Sequence, residues 1–330
     1  MPYRLKADES VPDGIRRIAK QEIDSIIDEL SRKGEGTRDE TIHKARKRIK
    51  KIRGLLRLVQ PELGDAYSGA TGQLREAGGK LSVFRDARAI IDTFDELINT
   101  YSGRLGEHTL ESVRAGLVRR KEEAEKRENI DKVLDNVASR LCTIRQVIKR
   151  WRLERDGFSA IAKGLEDTFR RGRQGLRRVK KHPRPESYHD WRKRVKEHWY
   201  HTRLLENLRT EVMQAHENSL KQLESWLGTD HNLVVLSDCI IAEPRFYGEE
   251  HQIELVMKLI KTYQKDVRDK SVHLGERIYN ERPRQFARRM KSLWQAWQEQ
   301  RKDVAPAGSP QKKLPESAGQ STGTCSQTAA

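Results

Sequence analysis

One basic motif occurs twice in this chain, on a single frame. His43-x-x-Arg46-Lys47-Arg48-x-Lys50 returns as His189-x-x-Arg192-Lys193-Arg194-x-Lys196, and the match runs on to Arg57 and Arg203. Each residue stands 146 positions after its counterpart. The register reaches well beyond the motif. Ile15 falls on Ile161, Arg17 on Lys163, Leu74 on Leu220, Arg75 on Lys221, Leu81 on Leu227 and Asp92 on Asp238, all without a gap. A period of this length, present twice, is foreign to solenoids, which stack three or more short repeats. It predicts two copies of one helical unit packed about a pseudo-twofold axis.

Wound at about 100° per residue, the motif separates its residues cleanly. His43, Arg46, Lys47, Lys50 and Arg57 share one face, while Ile49, Ile52, Leu56 and Val59 share the opposite one. The apolar side is a core stripe. The other side stacks cations over roughly 21 Å at 1.5 Å per residue, with no acid among them. Like charges at i,i+4 destabilise a helix by tenths of a kcal/mol per pair. A face that accepts this cost in both copies is expected to meet a polyanion.

The rest of the chain also reads as helix. Val11-Pro12-Asp13 opens a helix carrying Ile15, Ile18, Ile23, Ile26, Ile27 and Leu30, closed by Gly34-Glu35-Gly36. The first motif helix is expected from about Asp39 to Gln60-Pro61. Others are expected from about Asp65 to Gly78-Gly79, from Leu81 past Leu97 to Ser102-Gly103, and from His108 to about Val133. Strand-like alternation of period two is missing, which makes the fold all-α.

Charge sets the class of partner. The 66 basic and 49 acidic residues leave a net +17, a field suited to nucleic acid, an anionic membrane or another phosphate polymer. No apolar run is long enough to span a bilayer, and no signal-peptide pattern opens the chain. Cys142, Cys239 and Cys325 are an odd number without CxxC spacing, so they read as reduced and fit a cytoplasmic location; the first two sit in apolar helical contexts that read as core. From 303 onward the chain turns to Pro, Gly, Ser, Gln, Thr and Ala, the composition of a disordered tail over 303–330.

The paired His-x-x-Arg-[Lys/Arg]-[Lys/Arg] helices, the Leu-x-x-x-Arg-Asp of 81–86 and the Leu-Gly-x-x-His-Asn of 227–232 resemble the CHAD domain, the conserved-histidine α-helical domain. The resemblance spans roughly residues 10–300. It implies a CHAD-like domain over 1–302, with halves at about 10–150 and 156–302. Its fold would be two pseudo-twofold-related four-helix bundles around a basic central channel. The activity it implies is non-catalytic binding of inorganic polyphosphate, with association to polyphosphate granules as one outcome. Many members add a domain with Glu-x-Glu-x-Lys strands, which this sequence lacks, so a stand-alone binding protein is expected. The chain departs from the pattern at Ser82, where the other half has Gly228, and at His231-Asn232 in place of Arg-Asp.

The expected ligand set is His43, Arg46, Lys47, Lys50, Arg57 and Arg85 with His189, Arg192, Lys193, Lys196, Arg203 and Lys221. Arginine offers phosphate a planar fork and lysine a mobile point charge. Arg17, Lys20, Arg48, Arg194, His231 and Arg289 form a second rank. Arg48 and Arg194 stand about 140° from the histidine by helical geometry and are open to pairing with acids on a neighbouring helix instead. Cofactors and metals are not expected: His198 and His201 lack the HExxH order and read as core, and no phosphate-binding Gly-rich loop exists. The alternative is sequence-independent nucleic-acid binding, although the basic faces carry Tyr200 as their sole aromatic. A phosphate-polymer enzyme ranks below it, for want of metal-binding acids beside the cations.

Overall fold

The computed structural model describes residues 3–31, 38–101, 110–127 and 129–304, with backbone alone at 83–86, 124–125, 127 and 301–304. These residues form helices α1 (Val11–Ser31), α2 (Arg38–Leu58), α3 (Gln60–Leu63), α4 (Asp65–Lys80), α5 (Ser82–Tyr101) and α6 (Glu111–Arg127). After them come α7 (Ile130–Ile148), α8 (Gly157–Lys181), α9 (Pro185–Leu204), α10 (Thr210–Ala242), α11 (Glu250–Ile278) and α12 (Pro283–Val304). No strand occurs among the described residues, so the fold is all-α. No helix among them is long and apolar enough to cross a membrane.

Local chemistry fixes the ends of these helices. Asp156 accepts from the backbone N–H of Gly157, the first residue of α8, and also from that of Val11, the first residue of α1, at 2.8 Å. One carboxylate thus caps two helices whose starts lie 146 residues apart, each by satisfying an orphan donor. The single helix expected from His108 to Val133 is in fact two. Asn129 takes the backbone N–H of Lys132 at 3.1 Å and begins α7 afresh, because a capping side chain competes with continuation of the helix. Helices α4 and α5 are separated at Leu81, just after Gly78-Gly79, whereas α10 runs unbroken through the equivalent Glu224-Ser225 and Leu227. Two adjacent glycines cost about 1 kcal/mol each in a helix interior, and the break falls there. The tail expected from 303 onward lies, from 305, outside the described residues, as do Cys325, Gly34–Gly36 and Ser102-Gly103.

The core divides into two clusters, and neither is built from one half of the sequence. The larger joins α1, α2, α4 and α7 to α8, α9, α12 and the first part of α10. The smaller joins α5 and α6 to α11 and the rest of α10. Trp151, Trp191, Trp199 and Trp294 are buried as packing residues. Cys142 is exposed and Cys239 half-buried, against the expectation of core positions: Cys142 lies on the outer side of α7, whose buried positions are Val137, Leu141, Ile144 and Ile148.

Helix α2 lies at the centre, and its neighbours come unusually close. A Cβ placed on Gly164 of α8 would sit 1.7 Å from the carbonyl oxygen of Leu58. One on Gly54 would sit 3.0 Å from the ring of Tyr200 on α9. His201 completes this crossing by donating from Nε2 to the carbonyl of Gly54 at 2.8 Å. Burial pushes the His201 imidazole down to about 4. It is therefore neutral, with the proton on Nε2 and a bare Nδ1 that has no hydrogen-bond partner. His198 is likewise fully buried, beside His216 and Tyr279. Gly164→Ala is expected to destabilise the protein by about 2 kcal/mol or more, because backbone must move. Gly69→Ala, in α4 with nothing within 4 Å, is expected to stabilise it by roughly 0.5–1 kcal/mol. Chemical denaturation of both variants measures this contrast.

Candidate functional site

The crossing of α2 and α9 at Gly54 turns the basic faces of the two motif helices toward one cavity of about 850 Å³. Helix α2 contributes His43, Arg46, Lys47, Lys50, Arg53 and Arg57. Helix α9 contributes His189, Arg192, Lys193, Lys196, Glu197, Trp199 and Tyr200. Helices α4 and α10 complete the wall with Tyr67, Ser68, Thr71 and Arg75, and with Glu224, His231 and Asn232. Among the described residues the lining thus holds nine Lys and Arg side chains against two carboxylates.

The acids are the departure from the acid-free faces read in the sequence. Glu224 accepts from Lys196 Nζ at 2.6 Å and from Arg192 Nε at 3.2 Å. Burial alone would push its carboxyl up, but Lys196, Arg192 and Lys50 outweigh that and hold it below the usual carboxylate range. The first half has no such acid. Position 146 residues before Glu224 is Gly78, and there the backbone carbonyl accepts from Arg46 Nη1 at 3.0 Å. A carbonyl dipole thus replaces a full charge. The Gly228 that faces Ser82 in the repeat also gains a reason, since a Cβ there would lie 3.0 Å from the Arg192 guanidinium.

Crowding of like charge governs the remaining cations. Burial, followed by the repulsion of Lys196, Arg46 and Arg192, pushes the Lys50 ammonium down to about 7. Burial and then Arg75 lower Arg53. The His189 and His231 rings lie 4.3 Å apart. Burial lowers both, helped by Lys193 and Arg192 at His189 and by His189 itself at His231, which falls to about 4. In the lining, His189 Nδ1, Arg53 Nε and Thr71 Oγ1 are buried atoms with no hydrogen-bond partner. A cavity of this kind favours an anion that supplies several acceptor oxygens.

The cavity collects most of the expected ligand set and leaves some of it elsewhere. His43, Arg46, Lys47, Lys50, Arg57, His189, Arg192, Lys193 and Lys196 line it, as does His231 from the second rank. Arg203 and Lys221 do not. They line a separate hollow of about 360 Å³ with Arg4, Glu206 and Glu217, because Trp199 intervenes and Glu217 draws Arg203 away at 3.2 Å. The side chain of Arg85 lies outside the described residues. Arg48 pairs with Glu22 and Glu29, Arg194 with Glu197, Arg17 with Glu9, and Arg289 with Glu281. Lys20 is exposed on α1.

Sequence reasoning missed Arg53, Arg75, Tyr67, Ser68 and Thr71. Arg53 stands about 80° from His43 by helical geometry, at the edge of the face. Arg75 was visible as the partner of Lys221 in the repeat. Of the aromatics, Trp199 stacks on Tyr200 with centroids 5.2 Å apart, and both are buried. Tyr67 lies under Arg57 at 5.4 Å. Tyr67 is half-buried. Among the described residues no group of three or more His, Cys, Asp or Glu is placed to hold a metal ion.

Glu224→Gln tests the charge balance directly. Arg192 and Lys196 would lose their shared carboxylate, and removing one partner of a buried pair leaves uncompensated charge. The melting temperature is expected to fall, most at low ionic strength, and to recover on adding sulfate or inorganic phosphate, which bind the folded state. Thermal denaturation with and without these anions measures it.

A model of the CHAD domain family matches residues 19–240, more than half of the chain. Among solved structures, the chain is similar to PptA from Streptomyces chartreusis at 13% identity and a TM-score of 0.57, over 83% of this chain and 100% of that one. It is also similar to the CHAD domain of the plant Ricinus communis at 14% identity and a TM-score of 0.51, over 89% of this chain and 94% of that one. No curated protein matches the sequence. At these identities the two structures show a shared fold, and the match to residues 19–240, which takes in both motif helices, shows that the chain belongs to the CHAD domain family.

Proposed function

We propose that this protein binds inorganic polyphosphate, without transforming it, in the cavity between α2 and α9. One observation carries the reading: nine cations from two in-register motifs and their neighbours line a single cavity against two acids. Both acids are committed to cations, Glu224 to Lys196 and Arg192, and Glu197 to Arg194 and Arg57. That leaves neither to hold a metal or move a proton in phosphoryl transfer, and it favours binding over catalysis. A linear phosphate polymer supplies closely spaced charges and only oxygens, and it needs no aromatic platform. Nucleic acid would need one, and the buried Trp199 and Tyr200 do not offer it. A cytoplasmic location and recruitment to polyphosphate granules accord with this reading.

Replacing Arg46, Lys50, Arg192 and Lys196 together by Ala, with Glu224→Gln to avoid a stranded carboxylate, is expected to abolish tight binding of long polyphosphate while helical content persists. In the parent, log affinity should fall steeply with log salt, with a slope on the order of five or more if the rule calibrated on nucleic acid carries over in scale. Long polyphosphate should displace labelled DNA at far lower phosphate concentration than the reverse. Equal competition per phosphate, or a variant that binds like the parent, would sink the proposal.

Lys50 adds a pH dependence whose sign is fixed. With its ammonium held at about 7 by burial and the neighbouring cations, Lys50 is already charged at lower pH and takes up no proton on binding. A bound polyanion favours the charged form, so binding above that point takes up a proton. Affinity should then fall by up to about tenfold per pH unit until the raised pKa of the complex is passed. Lys50→Arg, which stays charged throughout, is expected to flatten this limb. Titration calorimetry in buffers of different ionisation enthalpy reads the proton uptake directly.

A further inference from the structure

The cavity continues into one half of the repeat and is shut off from the other. In the first half its lining extends past the crossing to Arg53, Arg57 and Arg75, with the hydroxyls of Tyr67, Ser68 and Thr71. Shifted by 146 residues, these positions become Trp199, Arg203 and Lys221, with Met213, Gln214 and Glu217. The two sets occupy equivalent places in α2 and α4, and in α9 and α10, but their chemistry is opposed.

In the first half every polar change favours an anion. Arg53 and Thr71 each carry a buried polar atom, Nε and Oγ1, that has no hydrogen-bond partner. Arg75 is exposed on α4 and near enough to Arg53 to lower it further beyond the effect of burial. Arg57 spans the floor between the Tyr67 ring at 5.4 Å and Glu197 at 3.6 Å. In the second half the same space is filled and neutralised. Trp199 takes the place of Arg53, stacks on Tyr200, and donates from Nε1 to Glu217 at 3.2 Å. Glu217 takes the place of Thr71 and pairs with Arg203 at 3.2 Å. Arg203 in turn lies over Trp199 at 5.7 Å. Beyond this plug the small hollow holds Arg4 against Glu206 at 2.6 Å and leaves Lys221 at its rim.

We propose that Arg53, Arg57 and Arg75 with the hydroxyls of Tyr67, Ser68 and Thr71 form a phosphate subsite for one stretch of the bound polymer, and that Trp199 and Glu217 close the equivalent position in the second half. The proposal rests on the polyphosphate reading and makes the site one-sided. The polymer meets the paired motifs on both walls and then runs on along α4 alone. Guanidinium forks and the hydroxyls donate to the non-bridging oxygens, which supply the acceptors that Arg53 Nε and Thr71 Oγ1 otherwise lack.

Arg75 and Lys221 are a matched pair for the test, since both are exposed on equivalent helices and neither substitution disturbs a core. Binding of long-chain polyphosphate is measured for Arg75→Gln and Lys221→Gln across a salt series. Arg75→Gln is expected to weaken binding several-fold and lower the salt slope by about one, while Lys221→Gln changes neither. Thr71→Val should weaken binding in the same direction as Arg75→Gln. Glu217→Thr, which unpairs the plug and removes a nearby negative charge, should strengthen binding and raise the slope. Equal effects of Arg75→Gln and Lys221→Gln, or no effect of either in a parent that binds, would overturn the one-sided subsite and leave the polyphosphate reading standing. A parent that binds no polyphosphate would overturn both.

Discussion

Everything at the cavity depends on how closely α2 and α9 can cross. At Gly54 the Tyr200 ring occupies the space a side chain would take, and His201 binds the Gly54 carbonyl. This contact replaces side-chain layers with backbone, so two helices can face each other across a cavity rather than a packed seam. Gly164 of α8 does the same one turn further along α2, against the carbonyl of Leu58. The buried apolar residues of α2, including Ile42, Ala45, Ile49, Ile52, Leu55 and Leu56, centre on the face opposite the motif cations. Arg48 and Lys51 turn aside to Glu22, and the other basic residues of the strip face the cavity.

Bringing two such strips together is costly, and the protein offsets the cost unevenly. Arg192 and Lys196 are neutralised by Glu224, whereas Arg46 has the carbonyl of Gly78. Burial and the charge that remains act on Lys50, whose ammonium is pushed down to about 7 and so is only partly protonated near neutrality. The two histidines beside it are lowered as well, by burial and by neighbouring cations. Near neutrality the cavity thus carries less charge than its residue list implies, and under the proposed function a polyanion would return the missing protons as it binds.

The sequence made the frame legible because the frame is what the repeat preserves. The starts of α1 and α8 and the ends of α2 and α9 fall 146 residues apart, and periodicity was enough to place the motif cations on one side. Pairing of Arg48 with Glu22 and Glu29 followed from its angle on the helix. What stayed hidden were the contributions of other helices. Glu224 reads as an ordinary acid in α10 until the fold sets it between Arg192 and Lys196. Arg203 matches Arg57 in register and in type, yet Trp199 and Glu217 remove it from the cavity. Register predicts position, and the neighbours at that position decide chemistry.

That distinction explains why the two halves agree in some places and part in others. At some core positions packing density, where even a methylene is felt, accompanies agreement between the halves. Ile15 and Ile161, Leu74 and Leu220, and Leu81 and Leu227 are all buried. Positions that face the cavity divide: the motif residues at 43, 46, 47 and 50 repeat unchanged at 189, 192, 193 and 196, while their neighbours do not. Arg53 can stand where its counterpart is Trp199, Thr71 where it is Glu217, and Gly78 where it is Glu224. A frame repeated in the sequence therefore does not require a symmetric site. Arg53, Arg57 and Arg75 line this cavity, whereas Arg203 and Lys221, which match two of them in register, line a separate hollow.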